Sequence, residues 1–423
     1  MIVYLICYAA SWIFARFGLY YLSGAALFLA AGYLYVYDYR RSGNLIHLRG
    51  LFSCFWVGGQ GAACLKLSKL QTDWALQTWI CFFLALVGFW ITFEVLDRLM
   101  GGNERFTMNR YRQRSTVRPL FFCIVGLTVI SAAAFVTEAA VLGFIPVLVR
   151  GVPHAYSAFH MTGLHYVTVS CVLIPAMTVL YFEQGGSRSG RKNGLIVLCT
   201  LVSIAIPILC VSRFQLVFAV ILAVFTFCAS QKNVSPWLFV AAVVALIPCY
   251  VLLTVARSHD VTYLNGIFEM KNSRMPIFVS QPYIYIANNY ENFDCLVKAL
   301  PAHTWGIRML FPVWALTGLK FLYPYLVSFP IYVDKTELTT VTLIYDAYYD
   351  FGIIGVLVFA CILGAVCFFL VEKLREMKNP MGYLFYGQMA IYMMLSFFTT
   401  WFSNPTTWFY FLVTAVLTFY CSV

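Results

Sequence analysis

The chain has 423 residues, of which 62% are hydrophobic, 18% aromatic and only 11% charged, and its formal net charge is +11. An ordinary soluble domain carries about 25% charged residues. This composition therefore excludes a soluble globular protein and indicates an all-α, polytopic integral membrane protein.

Twelve apolar stretches approach the roughly 20 residues that a membrane-spanning helix needs. The first is the weakest because Arg16 cuts it short, and it resembles a retained signal anchor because no small-residue cleavage site follows it. The sequence predicts one membrane domain, residues 1–423, with about twelve transmembrane helices at residues 2–15, 19–37, 46–65, 76–96, 119–139, 165–182, 194–211, 214–231, 236–255, 353–371, 382–400 and 407–422.

The basic residues predict the orientation of these spans. Short cytoplasmic loops carry an excess of Lys and Arg, and the segment "MGGNERFTMNRYRQRSTVRP" between the fourth and fifth spans holds five arginines. The segments "YRRSGNLIHLR", "GGSRSGRKN" and "EKLREMK" fall on the same side when the spans alternate. Both termini are predicted to be cytoplasmic, and the positive charge is a topology signal rather than a nucleic-acid surface.

The sequence contains no cysteine motif and no internal repeat that would indicate a function. The fourteen cysteines form no C-x-x-C pair and no Cys/His metal spacing, so neither a disulfide framework nor a zinc site is predicted. We find no inverted internal repeat of the kind that many transporters have.

One predicted external loop, residues 257–351, is far longer than usual, and such loops tend to be functional. Its middle, "GIRMLFPVWALTGLKFLYPYLVSFP", is rich in aromatic residues and leucine but is interrupted by charges and prolines. This pattern predicts helices lying in the membrane interface. A full span there is the alternative, but it would place the basic segment "EKLREMK" outside.

Ionisable groups concentrate on the predicted external side. Glu138 lies near the outer end of the fifth span, where an unpaired carboxylate is costly; it is either a functional group or a snorkelling or paired carboxylate. Five of the six histidines fall outside, namely His154, His160, His165, His259 and His303.

Four external arginines are candidates for binding an anion. Arg213 lies at the turn between the seventh and eighth spans, Arg257 follows the ninth span, and Arg274 and Arg308 belong to the long loop. A guanidinium matches the oxygens of a phosphate and stays charged. Each arginine alone could be an interfacial anchor, whereas four on one side favour a shared anionic ligand.

The run "TVTLIYDAYYDFGIIGVLVFACILG" resembles the signature of Wzy-type bacterial oligosaccharide repeat-unit polymerases, which make O-antigen and capsule chains. In chain order, "TEAAVLGFIPVL", "SRFQLVFAVI" and "YIANNYENFDCLVKALPAHTWG" are similar to further parts of that family. The resemblance covers roughly residues 115–370. This sequence differs from the family pattern at Phe214, where the family has a small residue after Ser-Arg.

The resemblance implies a fold and an activity. Such polymerases act on the outer face of the bacterial plasma membrane and transfer a growing glycan from undecaprenyl pyrophosphate to the non-reducing end of the next lipid-linked repeat unit. They need no metal, nucleotide sugar or other cofactor, and they work with a flippase and a chain-length regulator. Their architecture is similar to that of C-type membrane glycosyltransferases, with a large external loop over a cavity between the helices.

Residue roles follow as hypotheses. The arginines would stabilise the departing pyrophosphate, with Arg308 as a reserve behind Arg213, Arg257 and Arg274. A base must accept the proton of the acceptor hydroxyl: Glu138 and Asp350 are the first candidates and His165 the second. The family motif supports Glu138, Arg213 and Asp350, and the remaining candidates depend mainly on charge.

Several of these residues have simpler explanations. Asp350 could only cap a helix, and the glycines after it could only permit close helix packing. Tyr345 and Tyr349 are candidates for stacking on sugar rings, with Asn292 as a further sugar contact. The same tyrosines, with Tyr348, could instead form the aromatic belt at the interface.

Two rival functions remain open. A ligase of the O-antigen type would use similar groups to pass a finished glycan to another acceptor. A flippase or transporter of lipid-linked oligosaccharides would need ionisable groups along a central pathway and some repeat symmetry, and the predicted midplane is almost empty of charge.

Overall fold

The structure is a computed structural model. It describes residues 1–100, 117–149, 155–231, 235, 237, 241, 261–272, 274–375, 377 and 379–422. Within these residues every regular element is a helix, and the only β-type pairing is an isolated bridge between Ser68 and Met270.

Helices occupy most of the first 230 residues. A 3₁₀ turn, Pro146–Leu148, lies between α5 and α6. A second 3₁₀ turn, Ser170–Leu173, joins α7 to α8, and together the three elements form the candidate span Leu164–Glu183. The α-helices are α1 Ile2–Arg16, α2 Tyr20–Ser42, α3 Leu48–Cys64, α4 Leu76–Met100, α5 Val117–Leu142, α6 Ala155–Ala158, α7 Leu164–Val169, α8 Ile174–Glu183, α9 Gly190–Leu209 and α10 Arg213–Ser230.

The second half of the chain adds helices of very different lengths. Two 3₁₀ turns, Pro324–Leu326 and Trp401–Ser403, accompany them. The α-helices are α11 Val261–Phe268, α12 Ile277–Ala299, α13 Phe311–Leu316, α14 Leu319–Leu322, α15 Tyr345–Arg375, α16 Gly382–Met394 and α17 Pro405–Tyr420.

The chain is an α-helical membrane protein. Six described helices are long and apolar enough to cross a bilayer: Leu76–Met100, Val117–Leu142, Leu164–Glu183, Gly190–Leu209, Arg213–Ser230 and Tyr345–Leu374. Each predicted span coincides with a helix except the ninth, residues 236–255, most of which lies outside the described residues. Of the predicted arginine-rich segment, residues 100–119, residues 101–116 also lie outside them, as does Arg257.

The chain divides into two compact units. The first unit contains residues 1–106, 260–372 and 392–407, and the second contains residues 107–259, 373–391 and 408–423. In the first unit α2 and α3 pack closely through small residues, since a Cβ added to Gly24 would lie 2.8 Å from the carbonyl oxygen of Gly61. Small residues let the backbones of two membrane helices approach in this way.

Helix α12 of the first unit is polar and yet buried. Lys66 Nζ lies 2.6 Å from Glu291 Oε1, and Trp74 Nε1 donates to the same oxygen at 2.8 Å. Burial of such groups is tolerated because they are paired. Helix α12 is not predicted from the sequence, because "IANNYENFD" contains no apolar run. Residues 306–330, where the sequence predicts interfacial helices, form α13, α14 and a 3₁₀ turn.

Helix α15 is kinked at its beginning. Gly352 has φ 63° and ψ −146°, outside the helical range, so the residues from Tyr345 to Phe351 form a separate first segment. Only glycine adopts this backbone conformation readily. A Cβ at Gly352 would also lie 3.0 Å from the Nε2 atom of His303. The kink therefore brings the loop before α13 close to the first segment of α15.

The second unit is built mainly from α5 and α7–α10, with α16 and α17 from the end of the chain. Phe218 on α10 packs against Tyr410 on α17 with ring centroids 5.6 Å apart. Gln388 on α16 donates from Nε2 to Thr414 Oγ1 at 2.7 Å, and both residues are buried. These contacts tie the end of the chain to helices from its middle.

Candidate active site

A charged cluster in the first unit surrounds the beginning of α15. The Nε atom of Arg308 forms an ion pair with Asp346 Oδ1. Asp346 and Asp350 are four residues apart on one helix and so lie on the same face. Asp346 thereby places the guanidinium of Arg308 beside the helix start.

Two tyrosine rings hold the other side of the same guanidinium. The Cζ atom of Arg308 lies 4.5 Å from the ring centroid of Tyr349 and 5.3 Å from that of Tyr345. A cation over an aromatic face is attracted by the ring quadrupole. Burial opposes the charge on Arg308, but the neighbouring carboxylate of Asp346 outweighs it and raises the pKa of the guanidinium.

Some donors of Arg308 remain open. Its side chain is 15% exposed. Besides the bond from Nε to Asp346, the guanidinium makes a long contact of 3.5 Å from Nη1 to the carbonyl of Pro330 and a side-chain hydrogen bond with Tyr349. A guanidinium carries five donors in a planar fork. Arg308 is therefore positioned on one side and able to bind an anion on the other.

Asp350 fixes the loop that carries Arg308. One carboxylate oxygen, Oδ2, accepts the backbone N–H of Met309 at 2.7 Å, and the other accepts the N–H of Arg308 at 3.2 Å and the hydroxyl of Thr304. The residue is fully buried. Its predicted role as a general base is not tested by these contacts, which are those of an anchoring carboxylate.

The same loop contains a strained residue. Trp305 has φ 53°, a left-handed conformation that is rare for a bulky side chain. Its N–H donates to the main-chain carbonyl of Asp350 at 3.1 Å, which holds it there. The indole is 76% exposed and lies 6.2 Å from the ring of Phe351. Residues in strained conformations cluster at functional sites.

The three candidate sugar contacts are buried. Tyr345 and Tyr349 lie beneath Arg308, and the hydroxyl of Tyr345 donates to the carbonyl of Tyr332 at 3.0 Å. Asn292 donates to the carbonyls of Leu338 and Thr340 at 2.6 and 2.7 Å. Their contact with sugar stays a prediction; in this structure the tyrosines support Arg308 and Asn292 holds the chain before α15.

A second cluster lies within the second unit. Glu138 on α5 is fully buried. Its oxygens lie 3.2 Å from Nδ1 of His165, accept the hydroxyl of Thr168 at 2.7 Å and accept the N–H of Met161 at 3.0 Å. Glu138 is therefore a paired carboxylate, one of the alternatives left open by the sequence, and its predicted chemical role stays a prediction.

His165 is the accessible member of this pair. Its side chain is 18% exposed, and Nε2 forms no hydrogen bond with a described residue. The ring of His160 lies 4.9 Å away, centroid to centroid. A buried carboxylate that orients one ring nitrogen leaves the other able to take a proton, which is the logic of carboxylate–histidine pairs in hydrolases.

The remaining candidate arginines lie in different parts of the chain. Arg213 is buried at the first position of α10, in the second unit. Arg274 is exposed in the first unit, and its N–H donates to Asn272 Oδ1 at 3.0 Å. Arg257 lies outside the described residues. The shared anionic site of four arginines stays a prediction.

Sequence reasoning did not select three residues that contribute to these clusters, namely Thr168, Thr304 and Asp346. The spacing of Asp346 and Asp350 could have revealed Asp346, because residues four apart on a helix are neighbours. Neither threonine carries a local signal. Within the described part of the chain no group of three or more His, Cys, Asp or Glu could hold a metal ion.

Comparisons with protein-family models, with curated proteins and with solved structures found no match to this chain.

Proposed function

We propose that this protein is a membrane glycosyltransferase that polymerises lipid-linked oligosaccharide repeat units. It transfers the growing glycan from undecaprenyl pyrophosphate to the non-reducing end of the next lipid-linked unit. The resemblance of residues 115–370 to Wzy-type polymerases supports the proposal, and that resemblance implies no metal or other cofactor. No nucleic acid takes part.

The observation that carries the proposal is the setting of Arg308. Its guanidinium is fixed by Asp346 and two tyrosine rings, keeps donors open, and lies at the beginning of the long apolar helix α15. The beginning of a spanning helix is at the depth of lipid headgroups. A lipid pyrophosphate at this depth would meet a preorganised cation.

Arg308 then acts on the leaving group. As the bond between the anomeric carbon and the pyrophosphate oxygen breaks, negative charge grows on that oxygen. A fixed guanidinium stabilises such a charge without having to reorganise. Asp350 is a positioning residue in this proposal, because it holds the backbone of Arg308 and Met309.

The acceptor hydroxyl needs a base. The candidates predicted from the sequence are Glu138, Asp350 and His165. Of these, Glu138 lies 3.2 Å from Nδ1 of His165 within the second unit. Arg213, Arg257 and Arg274 remain candidate pyrophosphate ligands by charge.

The positions of charged residues favour transfer over transport. The charged side chains on the six candidate spans all lie toward a helix start or a helix end. Those toward a start are Arg118, Arg191, Lys192, Arg213, Asp346 and Asp350, and those toward an end are Glu94, Asp97, Arg98, Glu138, Glu183, Glu372 and Lys373. A transport pathway would place such groups within the bilayer. The proposal extends to about twelve spans, cytoplasmic termini, a bacterial plasma membrane, an external active site, and a flippase and chain-length regulator as partners.

The test is the length distribution of surface and lipid-linked glycan in the host after deletion of the gene. We expect the long ladder to disappear while single repeats still reach the outer face, and we expect Arg308→Ala to fail to restore it. Long chains accumulating on the lipid carrier would identify a ligase instead. Single repeats trapped inside would identify a flippase.

A matched variant separates the site from a general charge effect. Lys320→Ala removes another cation of the same segment, whose Nζ lies 5.2 Å from the ring centroid of Phe321, and it should restore the ladder fully. Arg308→Lys keeps the charge but loses the fork, so it should restore the ladder only partly. Full rescue by Arg308→Ala would reject Arg308 as a pyrophosphate ligand.

A further inference from the structure

An open cavity of about 570 Å³ lies in the second unit, where α5 begins, α8 ends and α9 begins. Three cationic side chains line it: Arg118, Arg188 and Lys192. The described lining residues include no Asp or Glu. All three are exposed, so water and salt screen their mutual repulsion, and an anion bound among them would reduce it further.

The wall of the cavity is built as a fixed loop. The hydroxyl of Tyr181 donates to Asn193 Oδ1 at 3.0 Å, the N–H of Ser187 donates to the same oxygen at 3.0 Å, and Asn193 Nδ2 returns a bond to the carbonyl of Ser187. Gly185 and Gly186 have φ 97° and 57°, which lets the chain turn tightly after α8. Arg188 is therefore carried by a rigid turn.

Aromatic side chains border the cations. Lys192 Nζ lies 5.7 Å from the ring centroid of Phe121, and Arg118 Cζ lies 6.0 Å from that of Phe122. Phe122 is 50% exposed. Three candidate spans each have a terminus here. The cavity therefore lies at the border of the bilayer, with charged side chains on one side and apolar rings on the other.

Another basic segment predicted to be cytoplasmic, residues 39–49, is arranged differently. Arg49 lies 2.7 Å from Glu94 and also pairs with Asp38, and Arg41 pairs with Glu94 at 3.1 Å. Acidic neighbours neutralise those arginines within the protein. The cations of the cavity have no such partner among its described lining residues, so a topology signal alone does not explain their convergence.

We propose that this cavity binds the phosphate headgroup of an anionic membrane lipid, with Arg118, Arg188 and Lys192 around the phosphate and Phe122 against the start of the acyl chains. Basic pockets between transmembrane helices recognise such headgroups. The site is separate from the proposed transferase chemistry. In the predicted topology it faces the cytoplasmic leaflet.

The test is a titration of the full-length, detergent-purified protein with dioleoyl phosphatidylglycerol, followed by native mass spectrometry. We expect saturable binding of this lipid and much weaker binding of dioleoyl phosphatidylcholine. The double variant Arg188→Ala/Lys192→Ala should bind phosphatidylglycerol roughly thirtyfold more weakly, since each surface cation contributes several-fold to the attraction of an anionic lipid.

The matched control removes the same charge elsewhere. Arg191→Ala/Arg40→Ala changes two exposed arginines that do not line the cavity, and it should bind as the unchanged protein does. The variant Arg188→Lys/Lys192→Arg keeps the charge and should also bind. Equal affinity of the cavity variant and the control would overturn the proposal, because the attraction would then depend on net charge alone.

A soluble competitor separates the two sources of phosphate. Glycerol phosphate at the lipid's concentration should leave phosphatidylglycerol bound, because it lacks acyl chains to contact Phe122. Complete displacement of phosphatidylglycerol by glycerol phosphate would overturn the lipid assignment and identify the cavity as a binding site for a soluble phosphate. Monodisperse elution of each variant in gel filtration shows that it has folded.

Discussion

Asp350 and Glu138 are both fully buried carboxylates near an end of an apolar helix, but their partners differ. Asp350 accepts two main-chain N–H groups and a hydroxyl, none of which releases a proton near neutral pH. Glu138 lies instead beside the imidazole of His165, with its oxygens 3.2 Å from Nδ1. Equal burial therefore accompanies two sets of contacts: main-chain and hydroxyl donors around Asp350, and an imidazole beside Glu138.

The largest expected effect is on His165. His165→Ala should lower the rate of chain extension by about 10²–10⁴, the usual contribution of a general base. It should also lower the free energy of unfolding, because it removes one partner of the buried Glu138 carboxylate. The rate can be measured in proteoliposomes supplied with the single lipid-linked repeats that the deletion host accumulates.

The neighbouring ring provides the control for this prediction. His160 packs against His165, so His160→Ala removes a ring from the same place without removing the contact to Glu138. If the two variants lose the same activity, packing rather than proton transfer explains the effect, and the contrast between the carboxylates disappears.

A smaller effect is expected from Asp350→Asn. The amide can accept only on one side and would point N–H groups at another donor, so the free energy of unfolding should fall by about 2 kcal/mol. Activity should fall with it because the loop carrying Arg308 loosens. Denaturant titration of the detergent-solubilised protein measures the change.

Asp334→Asn, in the segment before α15, is the matched control and should leave both quantities unchanged, since its carboxylate forms no hydrogen bond with a described residue. A variant Asp350→Asn that keeps its stability but loses all activity would support the general base predicted from the sequence and reject the anchor.

The smallest effect is expected from Thr304→Val, which keeps the shape of the side chain and removes one of the three donors to Asp350. The loss should be about 1 kcal/mol of unfolding free energy, with little change in chain extension. A loss as large as that of Asp350→Asn would assign most of the anchoring to this hydroxyl instead of the main chain.

Apolar runs were sufficient to locate most of the helices, because a spanning helix must be continuous and hydrophobic. Helix α12 was not found, since its stability depends on partners such as Lys66 that are distant in sequence. The kink at Gly352 was also not predicted, because glycine permits many conformations and the choice depends on His303 and the loop before α13.

The candidate site was predicted residue by residue but not as pairs. Glu138 and His165 were each selected, yet nothing in the sequence between them indicates that they touch. Asp350 was selected as a chemical group, and its partners are main-chain N–H groups, which every residue has. Local patterns identify candidates, whereas tertiary contacts decide their roles.

The ion pair between Lys66 and Glu291 has a consequence for how the protein is made. The two residues are 225 positions apart, and ribosomes add roughly 5–20 residues per second. On the order of ten to fifty seconds therefore pass between the synthesis of Lys66 and that of Glu291. A buried charge without a partner is costly. Chains that end before α12 is synthesised would leave this lysine without its carboxylate partner.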